Sequence, residues 1–258
     1  VTGFDVVIDT SCYTPQQASL AWRSFADKAK HWIHISSAAV YKEKDIVIGY
    51  DEQDAIGGSK IWGAYGADKS AIDEFLIEVS GPTPVTILRP PYIYGPGNDI
   101  DRETFIWGRA LTGQPILIPG RGDAVIQFIH VYDLAHSILA CMEHIPKINA
   151  VYNVASDEQV SLREWAELLV DICGENKSCI HLLINGAGEY NSRTYFPFRD
   201  YPCRLSTERI WLDLGWRASY TLDKGFTQTY YTYTIEELRK HAEKITNEER
   251  EIFAALRA

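Results

Sequence analysis

The sequence predicts an α/β protein built on a doubly wound parallel sheet. Three observations point there. Short strand-like runs alternate with helical stretches through the first half of the chain, the signature of βαβ units. Two of those runs are apolar rather than alternating, Val6 to Ile8 throughout and Val85 to Leu88 but for Thr86, as strands covered on both faces are. The 258 residues are 46% hydrophobic and 23% charged, ordinary globular usage sufficient for one or two domains.

In chain order, Phe4 to Ile8 reads as the first strand. Pro15, which suits a first helical turn, opens a helix running to Ala29, with Leu20, Trp22 and Phe25 as apolar positions. Trp32 to Ser36 is a second strand, and a loop follows to about Gly63. Tyr65 to Val79 has Ala71, Ile72, Phe75, Leu76 and Val79 at helical spacing, and Ser80-Gly81-Pro82 stops it. Val85 to Leu88 is a third strand. The second half is mixed. Helices are expected at 102–112, ending at Gly113, at 132–143, and after Ser161, where Glu164 completes a capping box. Strands are expected at 116–118, 127–131 and 150–154. Residues 185–205 read as a long loop, and 235–257 as a charged helical tail with Leu238, Ile245, Ile252 and Leu256 along it.

Composition excludes several function classes. No apolar run is long enough to span a membrane. No Lys/Arg-led apolar segment opens the sequence, so no signal peptide is visible in it. The net charge of −10 disfavours binding to phosphate backbones. Five cysteines, with no CxxC pair, argue against a disulfide framework or zinc site and for a cytoplasmic setting. The seven histidines show no metal-ligand spacing, so no metal is expected.

The candidate chemistry lies in Tyr65-Gly-Ala-Asp-Lys69. A phenol is a poor base at neutral pH. A lysine four residues on shares its helical face, and its charge favours the phenolate. A tyrosine so tuned can pass a proton to or from a substrate hydroxyl. Spacing alone does not carry this, because Tyr220 and Lys224 repeat it in a late turn that reads as structural. Context separates the two. Ser37 ends the strand run Ile35-Ser36-Ser37, and the carboxyl ends of parallel strands face the ligand crevice. A serine there can hydrogen-bond the oxygen that Tyr65 protonates.

Ser37, Tyr65 and Lys69, in this order, resemble the catalytic triad of the extended short-chain dehydrogenase/reductase family, in its NAD-dependent epimerase/dehydratase branch. Leu88-Arg-Pro-Pro-Tyr-Ile-Tyr-Gly-Pro-Gly97 resembles the family's segment at the nicotinamide. Phe128-Ile-His-Val-Tyr-Asp-Leu-Ala135 is similar to its FIHVDDLA segment, with Tyr132 in place of the first Asp. Val151-Tyr-Asn-Val-Ala-Ser156 and Leu214-Gly-Trp216 match later motifs, so the resemblance covers about residues 4–230.

The resemblance implies a Rossmann-type dinucleotide-binding domain over 1–98 and 128–156, a smaller substrate domain over 99–127 and 157–230, and a tail at 231–258. Its cofactor is NAD or NADP, lined by Thr10, Ser11, Tyr65, Lys69, Pro90 and Pro91. Tyr65 is the general acid/base, Lys69 holds the nicotinamide ribose, and Ser37 orients the substrate. Ala38, Tyr92, Arg121 and Arg199 are the substrate-binding residues, Trp62 a further candidate platform. A small-molecule substrate, such as a sugar nucleotide, and a homodimer complete the expectation.

Departures qualify it. The sequence has no GxxGxxG turn after an opening strand. Gly186-Ala-Gly188 is followed by no apolar helix. The start at Val1, with a strand running by Phe4, predicts a missing N-terminal segment of roughly 60 residues, two units at about 30 each. Relatives acting on nucleotide sugars often carry an Arg at the position of Ile126, and Arg121 or Arg199 would have to replace it. The family's dehydratases commonly carry Asp-Glu where Ala38 and Ala39 stand, which favours redox or epimerisation. The alternative is a non-catalytic or RNA-binding/regulatory homologue of the same fold that has lost dinucleotide binding.

Overall fold

The computed structural model describes residues 3–44, 49–146, 148–184, 190–242 and 246–257, the side chains of 255–257 apart. The elements in order are β1 (Val7–Asp9), α1 (Pro15–Phe25), β2 (Trp32–Ile35), α2 (Gly63–Val79), β3 (Val85–Arg89), β4 (Tyr92–Tyr94), α3 (Glu103–Thr112), β5 (Ile116–Pro119), β6 (Val125–His130), α4 (Val131–Glu143), β7 (Ala150–Asn153), β8 (Gln159–Ser161), α5 (Leu162–Ile172), β9 (Ile180–Leu183), α6 (Glu208–Leu214), α7 (Leu222–Tyr230), α8 (Ile235–His241) and α9 (Asn247–Arg257).

The chain divides into two units. The first comprises Val1–Ile93, Gln127–Asp157 and Cys203–Ser219. Its centre is a four-stranded parallel sheet of order β1-β2-β3-β7. Successive strand residues point to opposite faces, and this sheet is apolar on both. Trp32, Val85 and Ile87 meet Ala18, Trp22, Ile72 and Leu76 of α1 and α2 on one face. Ile33, Ile35 and Leu88 meet Leu134 and Cys141 of α4 and Ile210 of α6 on the other. Helices on both faces of a parallel sheet make the fold the expected Rossmann type.

β1 is shorter than expected and lies at the sheet edge, with Phe4 reduced to an isolated bridge to Ala29 and Ile8 exposed. The first helix ends at Phe25, and a 3-10 turn takes Ala26–Lys28. Thr14 caps it and Gln17 completes the box. Its core contacts are Ala18, Ala21 and Trp22, whereas Leu20 and Phe25 face solvent.

The second unit comprises Tyr94–Ile126, Glu158–Pro202 and Tyr220–Ala258. β5 pairs in parallel with β9. The described part of the loop expected at 185–205, residues 190–205, is irregular apart from a 3-10 turn at Ser192–Thr194, yet it is packed. Tyr195, Phe196 and Phe198 are buried, and Trp165 meets Phe198 edge-on at 4.7 Å. The tail is two helices, and the expected Ile245 lies outside the described residues. Leu238 and Ile252 are buried. Gly108 of α3 lets α8 approach closely, since a Cβ there would sit 2.5 Å from the Leu238 carbonyl oxygen. Arg109 and Glu249 form a fully buried ion pair at 2.7 Å.

Candidate active site

The site is built where β1, β2 and β3 of the first unit end. Beyond β2, Ser36 donates its N–H to the Leu88 carbonyl and Ala38 donates to the Pro90 carbonyl, both at 2.8 Å. These bonds tie the Ser37 turn to the exit of β3. Ser37 is extended, and its Oγ accepts the Ala39 N–H at 3.2 Å, opening a 3-10 turn over Ala38–Val40. A hydroxyl that accepts in this way keeps its own hydrogen to donate.

α2 lies directly against this turn. A Cβ at Gly66 would fall 2.6 Å from the Ala39 carbonyl oxygen, so only glycine allows the approach. Tyr65, next in sequence to that contact, is 41% exposed, while Lys69, one turn on, is buried. A half-exposed phenol above a buried ammonium follows from helical spacing, with one end of the face in solvent and the other against the sheet. The Lys69 Nζ donates to the Cys12 carbonyl at 2.8 Å and the Ile35 carbonyl at 3.1 Å. It also lies 5.0 Å from the centroid of the Tyr13 ring, which in turn packs against the Tyr65 ring. Burial pushes the Lys69 pKa down from the usual lysine value, against the opposing charges of Asp9 and Asp73.

Two polar groups of residues missed by sequence reasoning support this arrangement. Asp73, eight residues after Tyr65, accepts from Arg89 Nε at 2.9 Å, both side chains buried. Arg89 also donates to Tyr41, which donates to Asn153 at 2.7 Å, so α2 is fastened to β3 and β7. Burial raises the Tyr41 phenol to about 12, so it stays a donor. The second group is Asp9. Its Oδ1 accepts the Ser11 and Cys12 N–H groups at 3.0 and 3.1 Å, and its Oδ2 meets His34 Nδ1 at 2.9 Å. Burial opposes its charge, but these bonds hold its carboxyl below the usual range. The visible signals were the Tyr-x-x-x-Lys-x-x-x-Asp spacing and a lone carboxylate ending the apolar run Val6 to Ile8.

Of the other expected residues, Thr10 and Ser11 are exposed just beyond β1, and Pro90 is buried with Pro91 half-buried at the end of β3. Ala38 is buried beside the Ser37 turn. Tyr92 is nearly buried between Trp62 and Phe128, at ring distances of 6.2 and 5.9 Å. Arg121 and Arg199 belong to the second unit, where the Gly120 turn lies beside Asp200. Arg121 is exposed and pairs loosely with Asp123 at 3.6 Å. Lys224 lies over the Tyr220 ring, 4.8 Å from its centroid. Gly186 and Gly188 lie outside the described residues. Among the described residues, no cluster of three or more His, Cys, Asp or Glu is arranged to hold a metal ion, and no helix is long and apolar enough to cross a membrane.

The model of the "NAD dependent epimerase/dehydratase family" matches residues 17–155. The chain belongs to this family. Among curated proteins it is 28% identical to a chloroplast stem-loop binding protein of 41 kDa from Arabidopsis thaliana, over 88% of this chain and 58% of that protein. It is 25% identical to a dTDP-L-rhamnose 4-epimerase from Burkholderia thailandensis, over 67% of this chain and 47% of that one. The chain thus spans about half the length of these relatives. The solved dTDP-glucose 4,6-dehydratase of Bacillus anthracis, in complex with NAD, superposes with a TM-score of 0.70 at 19% identity, covering 92% of this chain and 74% of that one. The UDP-glucuronic acid 4-epimerase of Bacillus cereus, also with NAD, gives 0.67 at 22% identity, over 88% of this chain and 65% of that one.

NAD is the cofactor of the family, and the donors present suit its nicotinamide ribose. An ammonium has three N–H groups. Two of those on Lys69 go to Cys12 and Ile35, which leaves one for a ligand hydroxyl. Thr10 and Ser11, both exposed, stand just beyond the end of β1, with the Ser11 hydroxyl 3.4 Å from Asp9 Oδ1.

Proposed function

We propose that this chain carries the catalytic face of an NAD(P)-dependent oxidoreductase or epimerase acting on a hydroxyl or carbonyl of a sugar nucleotide or similar small molecule. The observation that carries the reading is the buried Lys69 ammonium one helical turn from the half-exposed Tyr65 side chain. Tyr65 gives a proton to, or takes one from, the substrate oxygen. The Lys69 charge stabilises the phenolate that results. Ser37 donates its free hydroxyl hydrogen to the same oxygen, keeping it in reach of the phenol. The dinucleotide, held by Lys69, Thr10 and Ser11 and flanked by Pro90 and Pro91, supplies the hydride acceptor or donor. Ala38 and Tyr92 border the substrate. Ala38 and Ala39 leave the dehydratase acid/base pair without carboxylates, which favours redox or epimerisation.

The test is Tyr65→Phe in the full-length protein, assayed on a panel of sugar nucleotides with either dinucleotide. Turnover is expected to fall at least about 100-fold, the lower range for a lost acid/base group, while dinucleotide affinity stays within a few-fold. Undiminished turnover would remove Tyr65 from the mechanism.

A second reading is favoured by the stem-loop binding relative, matched over 88% of this chain. The net charge of −10 opposes it, because backbone phosphates are bound by compensating cations. A gel-shift titration with a structured RNA hairpin separates the two. No shift at about 0.15 M salt, where surface charges are already screened beyond about 8 Å, supports the enzyme. A salt-sensitive shift without dinucleotide binding supports the alternative.

A further inference from the structure

We propose that Asp9 is a positioning residue for Lys69: its carboxylate holds the Cys12 N–H, and with it the turn whose Cys12 carbonyl accepts the lysine ammonium, and its negative charge keeps that ammonium protonated. The inference rests on the reading of Lys69 as the cofactor-holding member of the triad, and it assigns the site's electrostatics to a residue outside that triad.

The geometry forms one continuous chain. His34 Nδ1 meets Asp9 Oδ2 at 2.9 Å. Asp9 Oδ1 accepts the Cys12 N–H at 3.1 Å and the Ser11 N–H at 3.0 Å. The carbonyl of the same Cys12 accepts Lys69 Nζ at 2.8 Å. One carboxylate therefore sets the conformation of the turn after β1, and that turn supplies one of the two acceptors of the ammonium among the described residues; the other is the Ile35 carbonyl at the end of β2. Asp9 and His34 occupy matched positions in the register of the two strands, so their pairing is built into the sheet. Both are buried.

Charge gives the arrangement its purpose. A lysine taken out of water loses its proton more easily. Among the described residues, the groups whose charge acts on Lys69 are Asp9 and Cys12 from β1 and its turn, and Asp73 from α2 itself. The Tyr13 ring lies over the ammonium. His34 meets only the far oxygen of Asp9. Burial and the Asp9 charge both raise the Cys12 thiol, to about 12, so it is neutral at working pH and adds no charge. Asp73 is already engaged by Arg89. Asp9 is thus the anion from the sheet that keeps a buried Lys69 protonated, and a protonated Lys69 is what both ribose binding and phenolate stabilisation require.

The experiment is Asp9→Asn in the full-length protein. The carboxamide oxygen still accepts the Ser11 and Cys12 N–H groups, so the turn is retained while the charge is removed. Lysine Nζ titration is followed by NMR, with Lys69 assigned from its absence in Lys69→Met. This readout needs no dinucleotide, so it stands apart from the proposed activity. The Lys69 midpoint is expected to fall at least tenfold in proton affinity. Dinucleotide Kd, where binding occurs, is expected to rise about as much above the new midpoint and to recover at lower pH. A merely structural role lowers stability without moving the midpoint. An unmoved Lys69 midpoint in folded Asp9→Asn overturns the proposal. A moved midpoint in a protein that binds no dinucleotide keeps the coupling and overturns the cofactor reading. Should Asp9→Asn fail to fold, Lys69→Met gives the reciprocal test: the Asp9 carboxyl must titrate at higher pH than in the parent, and an unchanged Asp9 midpoint overturns the proposal.

Discussion

At the scale of single residues, burial decides which titratable groups matter. His31 is fully buried, with Nε2 at 2.8 Å from Thr86 Oγ1, and desolvation lowers it to about 4. Its folded pKa lies below the value of 6.5 for a free imidazole, so the unfolded chain binds the extra proton first. The stability this contributes is complete above pH 6.5 and is lost as pH falls toward 4. The loss amounts to about 3 kcal/mol if the whole window is crossed. His31→Gln is expected to flatten the urea-midpoint profile across this window, while the parent falls steeply. An unchanged profile would mean that another group sets the slope. Asp9, held below the usual carboxylate range, acts in a lower window: its contribution is lost only as pH falls beneath that of a free carboxylate.

At the scale of elements, the site depends on how closely α2 approaches the Ser37 turn. Gly66→Ala places a methyl 2.6 Å from the Ala39 carbonyl oxygen and 2.9 Å from Trp62 Cβ. Neither the turn nor the helix backbone can move without disturbing Tyr65 or Lys69. We expect a stability loss of about 1–3 kcal/mol, typical of overpacking, together with weaker dinucleotide binding. Denaturant unfolding and a binding isotherm on the same preparation check this; parent-like values for both would show that the approach is not needed. The element itself was legible in the sequence, because Ile72, Phe75 and Leu76 recur at helical spacing and Ser80-Gly81-Pro82 ends it. The register of β2 against β1 and β3 was not, since apolar strands covered on both faces carry no alternation to set it. That register is what opposes His34 to Asp9.

At the scale of the whole molecule, the C-terminal helices are part of the second unit's core rather than a solvated tail. The ion pair of Arg109 and Glu249 lies wholly inside that unit. Removing one partner strands a buried charge, so Glu249→Ala is expected to cost about 3–5 kcal/mol in denaturant unfolding. Replacing both partners with apolar residues of similar volume, as in Arg109→Met with Glu249→Leu, is expected to be near neutral. Equal losses in the single and double variants would point to shape, not charge, as the source of the effect.

The sequence by itself determined the fold class, the order of most elements and the family, and it singled out the proposed Ser37, Tyr65 and Lys69 set. These follow from local periodicity and motif spacing, which are properties of neighbours along the chain. Only the tertiary structure decided that Lys69 is buried on the carbonyls of Cys12 and Ile35, that Asp73 is held by Arg89 and that Asp9 pairs with His34. It also decided that residues 190–205 of the loop expected at 185–205 bury an aromatic cluster. The physical reason is common to all of these. A charge or an aromatic ring in a sequence carries no record of its burial; its partners come from distant strands and helices, and the sheet register alone brings them within hydrogen-bonding distance.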